Sequence, residues 1–346
     1  MDTKEAIFMK KGVGENGYAE HSYLTQKVNA LTKPLLENAV RSLFSKGFHV
    51  HGVLNVADLG CAAGPNVFSV ISTVKETVEM KSQELNFQTP EIQFYLNDLP
   101  GNDFNTLFRG LPYDDSCFFA GVPGSFHGRL FPCKSLHLVH SSYSVHWLSQ
   151  VPKGLTSSEG LALNKGNVYI TETSNSLVKE AYLTQFQEDF TMFLRVRSEE
   201  VVPNGCVVLI LHGRQSPEVP SSEAFELIAG AVAALVSEGM IEEEKLDSFN
   251  VPYYTPSAEE VQDVVETEGS FGVEHIDTFA VQVEGNLGEK YAKSIRGFTE
   301  SIVAQHCGEE LAEKVYNRLT RLLVEDLSKQ VRPPVSTVVA VLNKNS

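Results

Sequence analysis

Two aspartates that close apolar stretches are the residues of this 346-residue chain with the clearest chemical potential. Asp58 ends the stretch Val53-Leu-Asn-Val-Ala, and Asp98 ends Phe94-Tyr-Leu-Asn. Carboxylates in such places can accept charge-assisted hydrogen bonds from an ammonium group or from the two hydroxyls of a ribose. The pattern therefore predicts a site for a small ligand that carries these groups.

The segment around Asp58 predicts a strand, a glycine loop and a helix. Gly60 and Gly64 mark the turn, and Val67, Val70, Ile71 and Val74 follow with helical spacing. In an open α/β sheet, ligands bind beyond the carboxyl ends of the strands. This loop is therefore the first candidate for a cofactor site.

The spacing of these residues decides between cofactors. A dinucleotide site would show G-x-G-x-x-G with an acid about 20 residues on, whereas Gly60 and Gly64 are spaced G-x-x-x-G and Asp98 lies farther away. S-adenosylmethionine fits better, with Asp58 at its methionyl end, Gly60 allowing close backbone approach, and Asp98 on the ribose. The alternative is that both aspartates merely cap helices.

Composition excludes several classes of function. A hydrophobic content of 42% and a charged content of 21% are ordinary for a globular protein, and a net charge of −16 argues against nucleic-acid binding. The five cysteines are scattered without a C-x-x-C pair, which predicts reduced thiols and no metal site. The N-terminus lacks a signal-peptide pattern and no 18-residue apolar run occurs, so we expect no membrane contact and a cytoplasmic location.

The order of predicted elements indicates an α/β fold with a mostly parallel sheet and right-handed crossovers. A long helix is predicted over residues 176–200. The last strand is expected at an edge or antiparallel. Strands are predicted at 53–58, 92–96, 117–122, 136–140, 206–212, 273–283 and 335–342.

Three segments are predicted to serve different roles. Glycine-rich residues 1–30 are expected to form a strap over the site, the alternative being a frayed terminus. The core is expected over 31–215 and 270–346. The helical cap is expected over 216–269, with parts of 150–165 and 287–330, because this is more helix than a crossover needs.

A second group of residues could bind a flat acceptor. Tyr143, His146 and Trp147, the only tryptophan, follow the fourth predicted strand, and their rings can line a pocket while offering polar tips. His212 ends the fifth predicted strand and would point near the same crevice. The alternative for His146 is an ordinary core histidine.

Several motifs show that the chain resembles the plant SABATH methyltransferases over its whole length. They are Tyr18-Ala-x-x-Ser22, Ala57-Asp-Leu-Gly-Cys-Ala-Ala-Gly-Pro-Asn, Leu96-Asn-Asp-Leu-Pro-Gly-Asn-Asp-Phe-Asn, Gly121-Val-Pro-Gly-Ser-Phe-x-Gly-Arg-Leu-Phe-Pro and Ser141-Ser-Tyr-Ser-Val-His-Trp-Leu-Ser-Gln-Val-Pro. The family fold is a Rossmann-like, mostly parallel seven-stranded sheet under an α-helical cap, and its members are usually homodimers. They use S-adenosylmethionine to methylate carboxyl groups of small acids or ring nitrogens of purine alkaloids.

The resemblance also implies roles for individual residues. Tyr143, His146 and Trp147 are the candidate catalytic residues. The cofactor would be bound by Ser22, Asp58, Gly60, Asn66, Asp98, Leu99, Ser125 and Phe126, the last two at the adenine. The acceptor would be bound by Lys10, Tyr18, Thr25, Tyr143, His146, Trp147 and His212. His212 lies at a position that varies among members of the caffeine-synthase-type branch of the family, which this chain resembles most.

Two positions favour one branch of the family. Members that methylate salicylate carry glutamine at the position of Thr25 and methionine at that of His146; here Gln26 is one residue late, about 100° away on a helix. The resemblance thus favours N-methylation of a xanthine such as 7-methylxanthine or theobromine, with His146 or a water taking the ring proton. The alternative is O-methylation of benzoate, salicylate or nicotinate; a binding module or an NAD-linked oxidoreductase is a more distant possibility.

Overall fold

The computed structural model describes residues 23–45, 52–112, 114–216, 222–282, 288–326 and 334–345. Most of the strap predicted over residues 1–30 lies outside these ranges.

Within the described residues, the strands form one seven-stranded sheet in the order β3-β2-β1-β4-β5-β7-β6. The first five strands pair in parallel, whereas β7 is antiparallel to both β5 and β6. The strands are β1 (Leu54–Leu59), β2 (Ile92–Asp98), β3 (Cys117–Pro123), β4 (Leu136–Ser142), β5 (Val201–His212), β6 (Phe271–Val281) and β7 (Val335–Lys344). The predicted mostly parallel sheet is confirmed.

The last strand is antiparallel, as one of the two expectations had it, but it lies inside the sheet and not at an edge. Residues 337–342 of β7 are all buried, and they pair with β5 on one side and with β6 on the other. A strand buried on both faces needs a continuous apolar run, which Val338-Val-Ala-Val-Leu supplies.

Strand β5 begins five residues earlier than the predicted start at Cys206. Val201 pairs with Leu136 and Cys206 with Leu138, so extra residues are accommodated on β5 between these two pairs. Asn204 takes a φ of +63°, a left-handed conformation that suits asparagine. Pro203-Asn-Gly therefore forms a bulge within the strand, where the sequence predicts a turn before it.

Most of the helices lie between strands along the chain, and together they cover both faces of the sheet. They are α1 (Tyr23–Ser45), α2 (Asn66–Glu84), α3 (Phe104–Gly110), α4 (Ser176–Glu200), α5 (Glu223–Ser237), α6 (Glu243–Asp247), α7 (Ala258–Glu268), α8 (Gly288–Cys307) and α9 (Glu309–Arg321), followed by a π-helix (Leu322–Asp326). Helix α4 has the predicted limits because Asn175 caps it, its side chain accepting a hydrogen bond from Leu177 N at 2.9 Å.

Two apolar clusters lie on opposite faces of the sheet. Val40 of α1 and Ile71 of α2 pack on one face against Val56, while Phe186 and Phe193 of α4 belong to the cluster on the other face. Because the helices cover both faces, we expect a ligand to bind beyond the carboxyl ends of β1, β2 and β4.

The helices of the predicted cap pack against different parts of the molecule. Helix α5 packs against α6 and α9, whereas α7 packs against α4 and β6. The limits of a separate cap remain a prediction. In the described part of the chain, none of the helices is long and apolar enough to cross a membrane.

Candidate active site

The glycine loop after β1 is tied to its neighbours by main-chain hydrogen bonds. Gly60 N and Cys61 N both donate to Asn97 O, at 2.9 and 3.0 Å, and Ser144 Oγ donates to Gly60 O at 3.2 Å. Gly60 has a φ of +73°, and a Cβ there would overlap the side chain of Ser144. Glycine is therefore required for the loop to pass this close to the segment after β4.

Asp58 is buried at the end of β1 and is held by a residue that the sequence analysis did not assign to the site. Its Oδ1 lies 2.7 Å from Nδ1 of His140, which is its register partner on β4. From the described residues, Asp58 Oδ2 receives no hydrogen bond. The carboxylate is thus fixed by His140 and keeps an oxygen that can accept from a cationic group.

Asp98 joins the end of β2 to the glycine loop. Its Oδ1 accepts from Leu99 N and its Oδ2 from Ala62 N, both at 2.7 Å. Burial raises the pKa of Asp98 to about 6, and the nearby charge of Asp58 acts in the same direction. Since each carboxylate oxygen can accept a second hydrogen bond, binding of a ribose by Asp98 stays a prediction that this geometry permits.

Asparagine side chains supply further acceptors near this loop. Oδ1 of Asn66, at the start of α2, and Oδ1 of Asn102 are both buried and have no hydrogen-bond partner within the described residues. Asn102 Nδ2 donates to Ala62 O at 3.2 Å, which places this amide at the loop. A buried acceptor without a donor costs free energy, so ammonium and hydroxyl donors such as those of S-adenosylmethionine fit this site.

Asn102 is therefore a candidate cofactor residue that the sequence analysis missed. The signal was present in Leu96-Asn-Asp-Leu-Pro-Gly-Asn, but its role depends on which atom remains unpaired, and spacing does not reveal that.

The loop after β3 brings the predicted adenine-binding residues to the same place. Gly124 N donates to Asp98 O at 2.9 Å, and Phe126 lies with Cε1 3.9 Å from the position that a Cβ on Gly60 would take. The structure thus gathers Asp58, Gly60, Asp98, Leu99, Ser125 and Phe126 on three adjoining loops. An aromatic ring beside a glycine loop can pack on a flat base.

The second predicted group also comes together. The ring of His146 lies 5.9 Å from that of Tyr143, 6.2 Å from that of Trp147 and 6.1 Å from that of His212. Tyr143 has a φ of +53°, which is strained for a bulky residue. Such strain persists only where the surroundings enforce it, and it is often found at active sites.

His146 is a neutral hydrogen-bond donor. The main-chain N–H of His212 donates to His146 Nδ1 at 3.0 Å, so the ring proton is on Nε2. Burial, together with the neighbouring His212, lowers the pKa of His146 well below its ordinary value. Protonation is therefore unfavourable near neutral pH, and the expected role of His146 as a base is not supported by this geometry.

Tyr253 lies at the centre of this group of acceptor residues and was not predicted from the sequence. Its ring lies 4.7 Å from the rings of both His146 and Trp147, and its hydroxyl is hydrogen-bonded to His212 Nδ1. It arrives through a β-bridge to Trp147, about a hundred residues away in the chain. Pattern analysis of the local sequence could not reveal this contact.

Helix α1 places Thr25 and Gln26 differently. Thr25 is buried and Gln26 is exposed, as the one-residue offset predicts. Leu24 and Val28 of the same helix belong to an apolar cluster that includes Tyr143, so α1 lies beside the acceptor group. The remaining predicted site residues, Lys10, Tyr18 and Ser22, lie outside the described residues.

Comparison with known proteins identifies the family. A family model described as SAM dependent carboxyl methyltransferase matches residues 4–345. The chain is 55% identical to a probable caffeine synthase of Camellia sinensis, covering 99% of each chain, and 56% identical to a 7-methylxanthine methyltransferase of Camellia ptilophylla, covering 98% of each.

A solved structure also matches. A loganic acid methyltransferase bound to S-adenosylhomocysteine superposes with a TM-score of 0.89 at 34% identity, covering 98% of this chain and 99% of that one. The chain therefore belongs to the SAM-dependent carboxyl methyltransferase family, the SABATH methyltransferases, and is an enzyme that uses S-adenosylmethionine as methyl donor.

Proposed function

We propose that the enzyme methylates a ring nitrogen of a xanthine such as 7-methylxanthine or theobromine. Relatives at 55–56% identity are named as caffeine synthase, 7-methylxanthine methyltransferase and 3,7-dimethylxanthine N-methyltransferase. The observation that carries the proposal is the pair of neutral imidazoles, His146 and His212, within an aromatic group.

A neutral donor suits a purine better than a carboxylate. The pKa of His212 is lowered by burial to about 4, and that of His146 is lowered too, so neither ring offers a positive charge near neutral pH. A carboxylate gains most from charged donors. A hydrogen bond from His146 Nε2–H suits a carbonyl oxygen or ring nitrogen of a xanthine. The Tyr143 hydroxyl is hydrogen-bonded to Thr337 Oγ1 at 2.7 Å and can make a further hydrogen bond to the acceptor, and Trp147 supplies a face for its rings.

The reaction is an in-line displacement. Bound S-adenosylmethionine supplies a methyl group on a sulfonium. The ring nitrogen forms the N–C bond while the C–S bond breaks, leaving S-adenosylhomocysteine. The protein's part is to hold the acceptor nitrogen in line with the methyl group and the sulfur, and such positioning can lower the barrier by up to roughly 7–11 kcal/mol. Because His146 Nδ1 already accepts from His212 N, the ring proton leaves to water.

The fate of the transferred methyl tests this proposal. The purified enzyme is assayed with methyl-labelled S-adenosylmethionine and a panel of xanthines, benzoate, salicylate and nicotinate. We expect label on a xanthine that resists mild base. Label that enters an aromatic acid and is released by base, with none on xanthines, would refute it.

Methyl-ester formation is the second candidate. It is favoured by the description of the family model and by the likeness to a loganic acid methyltransferase, whose name denotes an acid as acceptor. Against it, the buried position on α1 is Thr25, and Gln26, the residue type of salicylate-methylating members, is exposed.

We further propose a cytoplasmic homodimer in which residues 1–30 form a strap and 216–269, with parts of 150–165 and 287–330, form a cap. All five cysteines are free, which agrees with a reducing compartment. Light scattering of the purified protein and fractionation of the source tissue test these points.

A further inference from the structure

A completely buried ion pair lies at the end of α4, and neither of its residues has been assigned to the site so far. Arg197 and Glu200 are both 0% exposed. Arg197 Nε lies 2.7 Å from Glu200 Oε2, and Nη2 lies 3.0 Å from Oε1. Moving two charges out of water costs several kcal/mol per ion, so such a pair is weak evidence for stability and calls for another explanation.

The pair holds the loop that follows β3. Arg197 Nη1 donates to Phe126 O at 3.1 Å and Nη2 to Gly128 O at 2.8 Å. Glu200 Oε1 accepts from Leu130 N at 2.6 Å and from Phe131 N at 2.9 Å. The two side chains thus fix four main-chain groups within residues 126–131.

Ring contacts extend this connection to the glycine loop. The Arg197 guanidinium lies 5.4 Å from the ring centre of Phe193, and Phe193 meets Phe126 edge-on at 6.3 Å. Phe126 in turn borders Gly60. Both the main chain and the ring of Phe126 are therefore set by α4.

We propose that Arg197 and Glu200 are positioning residues for the adenosine end of S-adenosylmethionine. They act through the main chain of residues 126–131 and do not touch the cofactor. The inference rests on the assignment of Ser125 and Phe126 to the adenine.

A second Arg–Glu pair provides a matched control on the acceptor side. Arg214 contacts Glu260, and its Nη2 donates to the Tyr254 hydroxyl at 3.0 Å. Tyr254 N donates to His146 O at 3.0 Å. This pair therefore contacts the acceptor group through Tyr254, in the same way as Arg197 and Glu200 contact the main chain of the adenine loop.

The experiment compares the double variants Arg197→Met/Glu200→Gln and Arg214→Met/Glu260→Gln. Each removes both charges together, so no buried ion is left unpaired. Glutamine can also replace glutamate in the capping box with Ser257, so Glu260→Gln should leave the start of α7 intact. KM for S-adenosylmethionine, KM for the acceptor and kcat are measured for both, with calorimetry of S-adenosylhomocysteine binding and a melting curve.

We expect the first variant to weaken S-adenosylhomocysteine binding and raise KM for S-adenosylmethionine about tenfold, with acceptor KM within about twofold. The control double variant should raise KM for the acceptor and leave the cofactor constants within about twofold. Arg197→Lys, which keeps the charge but cannot reach both carbonyls, should raise the same cofactor constants by less.

Equal changes in cofactor and acceptor constants, or unchanged cofactor constants in a folded variant, would overturn the proposal. So would failure of both Arg197 variants to fold, since the pair would then serve the fold itself. Because calorimetry of S-adenosylhomocysteine binding needs no acceptor, its result does not depend on which substrate the enzyme methylates.

Discussion

The main-chain N–H of His212 donates to Nδ1 of His146 at 3.0 Å, and this hydrogen bond fixes which nitrogen of His146 carries the proton. It joins the end of β5 to the segment after β4 at the acceptor group. His146 can then present Nε2–H to an acceptor and cannot readily take up a proton from it.

Replacing His146 therefore tests its role as a donor. His146→Met removes the donor and should lower kcat/KM for a xanthine by roughly 5–150-fold, because a buried polar group left without its hydrogen-bond partner costs about 1–3 kcal/mol. His146→Gln, whose amide N–H₂ can replace Nε2–H, is the control and should lose less. Steady-state kinetics of both variants with 7-methylxanthine measure the difference; unchanged kinetics in His146→Met would rule the role out.

The ionisation of Asp98 should make cofactor binding depend on pH. Its carboxylate form can accept from the ribose, and the pKa of about 6 means that this form is lost as the pH falls through 6. Affinity for S-adenosylhomocysteine should be highest above pH 6 and fall by up to about tenfold per pH unit below it. Calorimetry from pH 5 to 8 measures this trend.

Asp98→Asn is the control for that experiment. It should bind S-adenosylhomocysteine more weakly and without the dependence on pH. A wild-type affinity that stays constant between pH 5 and 7 would contradict the assignment of Asp98.

The glycine loop tolerates no side chain at Gly60. Gly60→Ala should abolish S-adenosylhomocysteine binding, because its Cβ would overlap Ser144. Ser144→Gly in the same chain removes the overlap and should restore part of the binding. Gly154→Ala is the control: its φ of +83° is similar, but the added Cβ meets nothing within 4 Å, so it should cost about 1–2 kcal/mol of stability and leave binding intact. Full binding by Gly60→Ala would refute this account of the loop.

His212 should lower stability in acid. Its pKa in the folded protein, about 4, is below the value of about 6.5 expected when unfolded, so the unfolded state takes up the proton first. The contribution of neutral His212 to the free energy of unfolding is fully present above pH 6.5. It is lost as the pH falls from 6.5 to 4, and the loss amounts to up to about 3 kcal/mol. Urea unfolding at pH 7.5 and 5 should show a smaller loss for His212→Asn than for wild type; an equal loss would contradict it.

The sequence predicted the strands and the segments that bring the two groups of candidate site residues together, because both depend on local patterns. Apolar runs ending in Asp58 and Asp98 give strands with polar ends, and parallel pairing then brings those ends to one edge. The bulge at Asn204 and the interior place of β7 depend on pairing between distant strands, so local periodicity could not predict them.

The missed residues share a physical reason. His140 matters because its register partner is Asp58, and Tyr253 because a bridge brings it to Trp147. Asn102 matters because one of its atoms is buried without a partner among the described residues. Each role arises from the tertiary arrangement, whereas the motifs identified only which segments meet.

The most direct test of the central proposal is a competition in one tube between 7-methylxanthine and nicotinate at equal concentration, with methyl-labelled S-adenosylmethionine. The ratio of labelled products equals the ratio of the two kcat/KM values. The proposal predicts at least about ten labelled xanthine molecules, stable in base, for each methyl ester. A product mixture dominated by the base-labile ester would contradict it.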